Sequence, residues 1–321
     1  MNSNTSNTFN KCLDKLPLRI LYIMGAGRSG STVLDTVLGN HSEIESVGEL
    51  TNLPRSGWIN DEYCACGKRG TDCPFWSDVR REWVRRTGVD DPKGYLALQS
   101  TFERFRRWPR LLKERRRPSP QFQIYAEQTR ALFEAVRTVS GKSIIVDSSK
   151  NPTRAFALSM LPNVDLYLIH LIRDGRGVIW SYLKAHRKDE KNGVQRDLAP
   201  VPAWRTSINW RLVNSTSEFV LKQKIADGAC IRYEDFVQQP VKTLNRIGDM
   251  LSISLDSVAD NLVCGREVTV GHTIAGNRVR MSGAITLRPD YEWKELLPGK
   301  DRKIFWLLAG TVARRYGYDK V

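Results

Sequence analysis

The sequence predicts an α/β fold: a central parallel sheet flanked by helices, with a mostly helical insertion. Three observations carry that expectation. Short continuous apolar runs recur at 19–24, 143–146, 166–172 and 229–233, and such runs bounded by turn residues suit strands buried on both faces. Segments of helical periodicity stand between them, and strands alternating with helices argue for a parallel sheet. The first run ends in the glycine-rich turn Gly25-Ala-Gly-Arg-Ser-Gly-Ser-Thr32, in a class of sheet whose ligands bind beyond the carboxyl ends of the strands.

Residues 1–17 are rich in Asn, Ser and Thr and read as a loosely attached lead, leaving 18–321 as one domain. After the glycine turn, Val33, Leu34, Val37 and Leu38 fall at helical spacing, and Gly39-Asn40 supplies a stop. The stretch 55–140 is rich in Trp, Arg and helix formers and reads as a helical insertion between the first two sheet strands. The run at 143–146 ends at Asp147. The run at 166–172 ends at Arg173-Asp174 and feeds a helix over about 177–184. The fourth strand is followed by a helix over 241–251, then a long ordered loop over 265–295 and a closing helix over about 300–315. No internal repeat is present.

The chain has 321 residues, 41% hydrophobic and 26% charged, values of a globular protein able to bury a core. Fifty Lys and Arg against thirty-five Asp and Glu give a net charge of +15, which favours anionic partners without choosing among them. No apolar run reaches the roughly 18–20 residues of a membrane span, no secretory signal pattern opens the chain, and six cysteines make no disulfide scaffold. A cytoplasmic location is the expectation.

The spacing Gly25-x4-Gly30 is that of a phosphate loop, in which backbone amides and the following helix N-terminus surround an anion. Nucleoside-triphosphate loops place Lys after the last glycine; here Ser31 stands there, and Arg28 is the cation on offer. The alternative is a tight turn with no ligand.

Arg28-Ser-Gly-Ser-Thr32 resembles the 5′-phosphosulfate loop of sulfotransferases that use 3′-phosphoadenosine-5′-phosphosulfate (PAPS). Leu171-Ile-Arg-Asp-Gly-Arg-Gly-Val-Ile-Trp-Ser181 resembles the 3′-phosphate segment of that family, and Arg232-Tyr-Glu-Asp-Phe236 with Pro240 resembles its adenine segment. The matches run in family order over 19–251 and are closest to the carbohydrate, tyrosylprotein and bacterial branches. The resemblance implies that Gly27, Arg28, Ser29, Gly30, Ser31 and Thr32 hold the phosphosulfate, that Arg173 and Ser181 hold the 3′-phosphate, and that Tyr233 lies near the adenine. It also implies that the loop carrying Arg278 and Arg280 closes over the 3′-phosphate.

For catalysis, in-line sulfuryl transfer needs a base for the acceptor and a cation for the leaving group, 3′-phosphoadenosine-5′-phosphate (PAP). Glu49, in a Gly-Glu…Pro-Arg stretch like that of the tyrosylprotein branch, is the base on this reading, with His272 as its rival. Lys150, in Lys150-Asn-Pro152, is the leaving-group cation, assisted by Arg28. The related branch has Asp where Asn151 stands. His41 and His170 read as structural. The family implies no metal and no redox cofactor.

Cys64, Cys66 and Cys73 fall in a C-x-C-x6-C pattern with no adjacent His. Reduced, buried thiols are the reading taken, with structural zinc and a disulfide left open. The run Arg104–Arg117 carries eight basic residues and one acid, which reads as a solvated face or a surface for an anionic acceptor or membrane. No nucleic-acid signature accompanies it. The expected acceptor is a small molecule or natural product bound by segments 50–140 and 185–205. A glycan, a peptide tyrosine, P-loop kinase chemistry and non-enzymatic binding of an anionic polymer are the alternatives.

Overall fold

The computed structural model describes residues 16–184, 187–194 and 197–320. The lead therefore lies almost wholly outside the described residues, as do His186 and parts of the 185–205 segment.

Five parallel strands form the sheet: β1 (Leu18–Met24), β2 (Ile44–Ser46), β3 (Ile144–Lys150), β4 (Val164–Ile172) and β5 (Asp227–Arg232), in the spatial order β2-β3-β1-β4-β5. The central strand β1 pairs with β3 on one side and β4 on the other, and nearly every side chain along it is buried. That two-sided burial is why its sequence is continuously apolar instead of alternating. One face packs Leu21, Ile23, Ile144, Val146 and Ile169 against helix α1 (Ser31–Gly39) and the later helix α10 (Pro240–Leu251). The other packs Leu18, Ile20, Tyr22 and Ile145 against the insertion.

The insertion is helical, with α2 (Pro74–Thr87), α3 (Pro92–Phe102), α4 (Trp108–Arg116) and α5 (Pro120–Ser140). Its position needs correction: the short edge strand β2 precedes it, so it lies between β2 and β3. Three residues offer no periodicity to read, and Ile44-Glu-Ser46 becomes a strand only by pairing with Ile144–Val146.

Beyond β3 come α6 (Pro152–Leu158), α7 (Gly175–Leu183) and α8 (Ala203–Lys222); after β5 come α9 (Tyr233–Gln238), α10 and α11 (Asp256–Val263). Tyr233 was expected to end the fourth strand and instead opens α9. The 265–295 segment is not all loop: β6 (Val268–Thr269) and β7 (Ala284–Ile285) pair antiparallel, a 3-10 turn spans Arg278–Ser282, and α12 (Trp293–Leu296) follows. The closing helix is α13 (Gly299–Arg315). No helix among the described residues is long and apolar enough to cross a membrane.

Candidate active site

The carboxyl ends of β1, β3 and β4 converge because the strands are parallel and in register, with Met24 beside both Lys150 and His170. The Gly25 amide donates to Lys150 O at 3.0 Å, which ties the glycine loop to the end of β3. Gly25 sits at φ +146°, and a Cβ there would run into the Leu171 carbonyl of β4. Gly30 sits at φ +88°, with its Cα against the Tyr233 ring. Only glycine satisfies both the dihedral and the close approach.

Above these ends lies a cavity of about 430 Å³. Ten of the residues singled out from the sequence line it: Gly27, Arg28, Gly30, Ser31, Thr32, Glu49, Lys150, Arg173, Ser181 and Tyr233. Reading by motif passed over its other walls, Val33, Tyr182, Gly276, Asn277, Val279 and Asp290. Tyr182 adjoins Ser181 on the helix after Arg173. Val33 lies in the first turn of α1 beside Thr32, and the remaining four come from the 265–295 segment, which carries no periodic signal.

One end of the cavity is made mostly of backbone. Helix α1 has no side-chain cap and no acidic residue in its first turn, so its N-terminal amides and positive dipole end face the cavity. Ser29 is buried, and its Oγ has no partner among the described residues. Arg28 holds φ +67° and lies over the Tyr182 ring at 5.5 Å.

Glu49 reaches this end because the chain after β2 continues along β3: Val47 N donates to Val146 O and Ser148 N to Gly48 O. Its carboxylate forms an ion pair with the Lys150 ammonium, while Asn52 Nδ2 donates to the second oxygen at 2.8 Å. Both members of the pair keep about a fifth of their side-chain surface exposed. Lys150 adopts φ +68°. Arg28 and Lys150, both in the left-handed region, thus place the strain common at functional sites on two of the three cavity cations, Arg173 being the third. Asn151 serves locally: its side chain caps α6 by accepting from Thr153 N at 2.9 Å.

The other end is made of side chains. Arg173 is nearly buried; Nη1 donates to Arg28 O at 3.1 Å, and Nη2 pairs with Asp290 at 2.8 Å. Its guanidinium lies 5.0 Å from the Tyr233 ring centroid, and burial raises the Tyr233 phenol above its ordinary pKa, so it stays protonated. Asp174 does not pair with Arg173; it caps α7 and binds Arg176.

Two expectations need correction. Arg280 is 2% exposed, and its Nη1 donates to the carbonyls of Tyr63 at 3.0 Å and Thr273 at 3.2 Å. It faces the insertion instead of the cavity, because its guanidinium is taken up by these two carbonyls. Arg278 is exposed and does not line the cavity; its neighbours Asn277 and Val279 do. His272, the rival base, lies outside the cavity lining, with Nδ1 3.3 Å from Cys73 Sγ and its ring stacked on Phe75. His170 is buried at the sheet and its Nε2 donates to Asn214 Oδ1 at 3.1 Å; burial depresses its pKa to about 4.

A second cavity, of about 350 Å³, shares Gly27 and Lys150 with the first. Gly25, Ser149, Asn151, Pro152, Phe105, Asn209, Leu212 and Val213 complete it, so an apolar rim faces the last two residues of β3.

These features define an α/β protein with a glycine-rich strand–helix loop at the switch of a parallel sheet. A sulfotransferase family profile matches residues 21–257, and the chain belongs to that family. Among solved structures it is similar to the sulfotransferase domain of the Synechococcus PCC 7002 olefin synthase, at 19% identity and TM-score 0.49, covering 95% of this chain and 96% of that one. It is also similar to the sulfotransferase domain of the curacin biosynthetic pathway, at 16% identity and TM-score 0.43, over 95% and 99% of the two chains. Sulfotransferase STF9 from Mycobacterium avium matches at 12% identity and TM-score 0.45, over 98% and 82%. None of the curated proteins matches the sequence.

Proposed function

We propose that this sulfotransferase takes its sulfuryl group from PAPS and passes it to a hydroxyl or amine of a small-molecule acceptor. The observation that carries this reading is the single cavity joining an uncapped helix N-terminus, Glu49 and Lys150 at one end to Arg173, Ser181 and Tyr233 at the other. A donor with two anionic ends suits that separation, and the residues fit it: free amides and the Ser29 hydroxyl at one end, a guanidinium fork over an aromatic ring at the other.

PAPS, when bound, supplies the activated sulfuryl group. The chain's own residues then divide the work. The amides of 27–32 and Arg28 hold and polarise the phosphosulfate end. Lys150, released from Glu49 toward the donor, places positive charge where the leaving group gains negative charge. Glu49, freed of that partner, accepts the acceptor's proton at a carboxylate oxygen. Arg173 and Ser181 fix the 3′-phosphate, with Asp290 displaced from the guanidinium. The acceptor enters through the Phe105–Leu212–Val213 cavity, whose wall includes Lys150, and the exposed Arg104, Arg106 and Arg107 beside Phe105 favour an acceptor carrying negative charge.

Incubation with radiolabelled PAPS and an acceptor panel tests the transfer, and calorimetry with PAP tests the site. PAP is expected to bind and Arg173→Ala to abolish that binding. ATP binding in preference to PAP would favour kinase chemistry, and PAP binding unaffected by Arg173→Ala would place the nucleotide elsewhere.

A further inference from the structure

We infer that Cys64, Cys66, Cys73 and His272 form a tetrahedral S3N site for zinc, which clasps the helical insertion to the loop that walls the candidate donor cavity.

The ligating atoms of these four residues all lie within 4.8 Å of one another. Cys66 Sγ is 3.6 Å from Cys73 Sγ, and Cys73 Sγ is 3.7 Å from Cys64 Sγ. His272 Nδ1 lies 3.3 Å from Cys73 Sγ and 4.0 Å from Cys64 Sγ. A tetrahedron with metal–sulfur bonds of about 2.3 Å has sulfur–sulfur edges of about 3.8 Å, so these separations are those of a four-ligand zinc shell. They are far from the roughly 2.05 Å of a disulfide bond, and all three cysteines are free.

The fourth ligand lies some 200 residues from the thiols in sequence, which is why the C-x-C-x6-C pattern looks incomplete on its own. Local structure presents each ligand. Cys64 and Cys66 ride a tight hairpin closed by the Tyr63–Arg69 bridge and turned at Gly67, which sits at φ +84°. Cys64 N donates to Lys68 O at 2.8 Å and Gly67 N to Cys64 O at 2.9 Å. Cys73 is the N-cap of α2, where no side chain caps the helix, so a thiolate there meets the positive end of the dipole. His272 is held by stacking on Phe75, with centroids 5.1 Å apart and planes 9° from parallel.

The chemistry favours zinc. Three thiolates and an imidazole are soft and borderline ligands, and four protein ligands leave no open position, the mark of a structural site. Binding expels three thiol protons and leaves the centre with one net negative charge. Arg280, buried between Tyr63 O and Thr273 O, is within electrostatic range of Cys64 and offsets that charge. The same arginine and the Ala65 N to Thr273 O bond of 2.9 Å stitch the hairpin to the His272 loop. That loop continues directly into Gly276, Asn277 and Val279 of the cavity wall.

The test is metal analysis of the full chain purified under reducing conditions. About one zinc per chain is expected, and Co(II) exchange is expected to give thiolate charge-transfer and intense tetrahedral ligand-field absorption. Cys66→Ser, which alters the exposed ligand, is expected to lower zinc affinity at least about tenfold in competition with a chromophoric chelator. Cys264→Ser, an exposed thiol outside the cluster, is expected to keep one equivalent. Protein that holds no zinc as isolated and gives no tetrahedral Co(II) spectrum overturns the site. So does a disulfide among the three cysteines in peptide mapping, or chelator competition unchanged by Cys66→Ser. None of these readouts requires PAPS or sulfuryl transfer.

Discussion

Two sets of opposite charges sit within a few residues of each other where β3 meets α6. Lys150 pairs with Glu49 at the cavity, each about one-fifth exposed and the glutamate steadied by Asn52. Arg154 pairs with Asp147 and Glu103 beneath it, with both Arg154 and Asp147 fully buried. The buried set has its oxygens engaged: Tyr125 and Thr51 donate to Glu103, and Ser149 donates to Asp147 by both its amide and its hydroxyl. The exposed set can exchange partners with little desolvation cost, whereas the buried set cannot. On the proposed mechanism, an ion pair that opens for chemistry therefore rests on one that stays closed. The buried set reaches the open one through Thr51, which lies two residues after Glu49 and whose amide donates to Ser149 Oγ at 3.0 Å. The insertion thus reaches the sheet, because Glu103 at the end of α3 braces the strand end that carries Lys150.

The contrast can be broken most strongly at Glu49. Glu49→Gln is expected to lower turnover by about 10²–10⁴-fold, with PAP affinity changed less than about twofold in calorimetry; normal turnover would remove Glu49 as the base. Next, Glu103→Ala is expected to cost about 3 kcal/mol in urea unfolding, since it leaves the buried Arg154 with Asp147 alone and removes the acceptor of Tyr125 and Thr51, while Glu49→Ala costs about 1 kcal/mol or less. Equal costs would erase the distinction between the two sets.

A third effect lies at the far side of the sheet. Burial holds His170 at about 4, below its ordinary 6.5, so its neutral form stabilises the fold fully above pH 6.5. That contribution is lost as pH falls from 6.5 toward 4, where the unfolded chain binds a proton that the folded chain refuses. The loss is about 2 kcal/mol at pH 5, and His170→Gln is expected to remove it, flattening the acid limb of a stability profile. The smallest effect is at the Arg173 end. Asp290→Asn weakens a pair half open to solvent and is expected to tighten PAP about fivefold, or about 1 kcal/mol. Unchanged or weaker PAP binding would mean that Asp290 does not compete with the 3′-phosphate.

Legibility followed local chemistry. The glycine loop, Arg173 and Ser181 were readable because each belongs to a strand–turn–helix whose residues are adjacent in the chain. Edge strand β2 was not, because three residues carry no period and become a strand only against β3. Arg278 and Arg280 were expected at the cavity but do not line it, because a basic loop looks the same in sequence whether a guanidinium faces a ligand, solvent as at Arg278, or two buried carbonyls as at Arg280. Asp290 and Tyr182 had no motif to mark them, though Tyr182 directly follows Ser181.

The amino-acid sequence by itself determined the strand–helix alternation, the glycine loop with Ser31 where a nucleoside triphosphatase would carry Lys, and the family. All of these are written in near neighbours, where backbone preference and apolar period act directly. Only the tertiary structure decided which distant groups meet: Glu49 on Lys150, Arg173 on Asp290, and His272 on three thiols that precede it by about 200 residues. Contacts between remote segments depend on how the parallel sheet stacks its strand ends and how the insertion packs over them, and no local pattern encodes that.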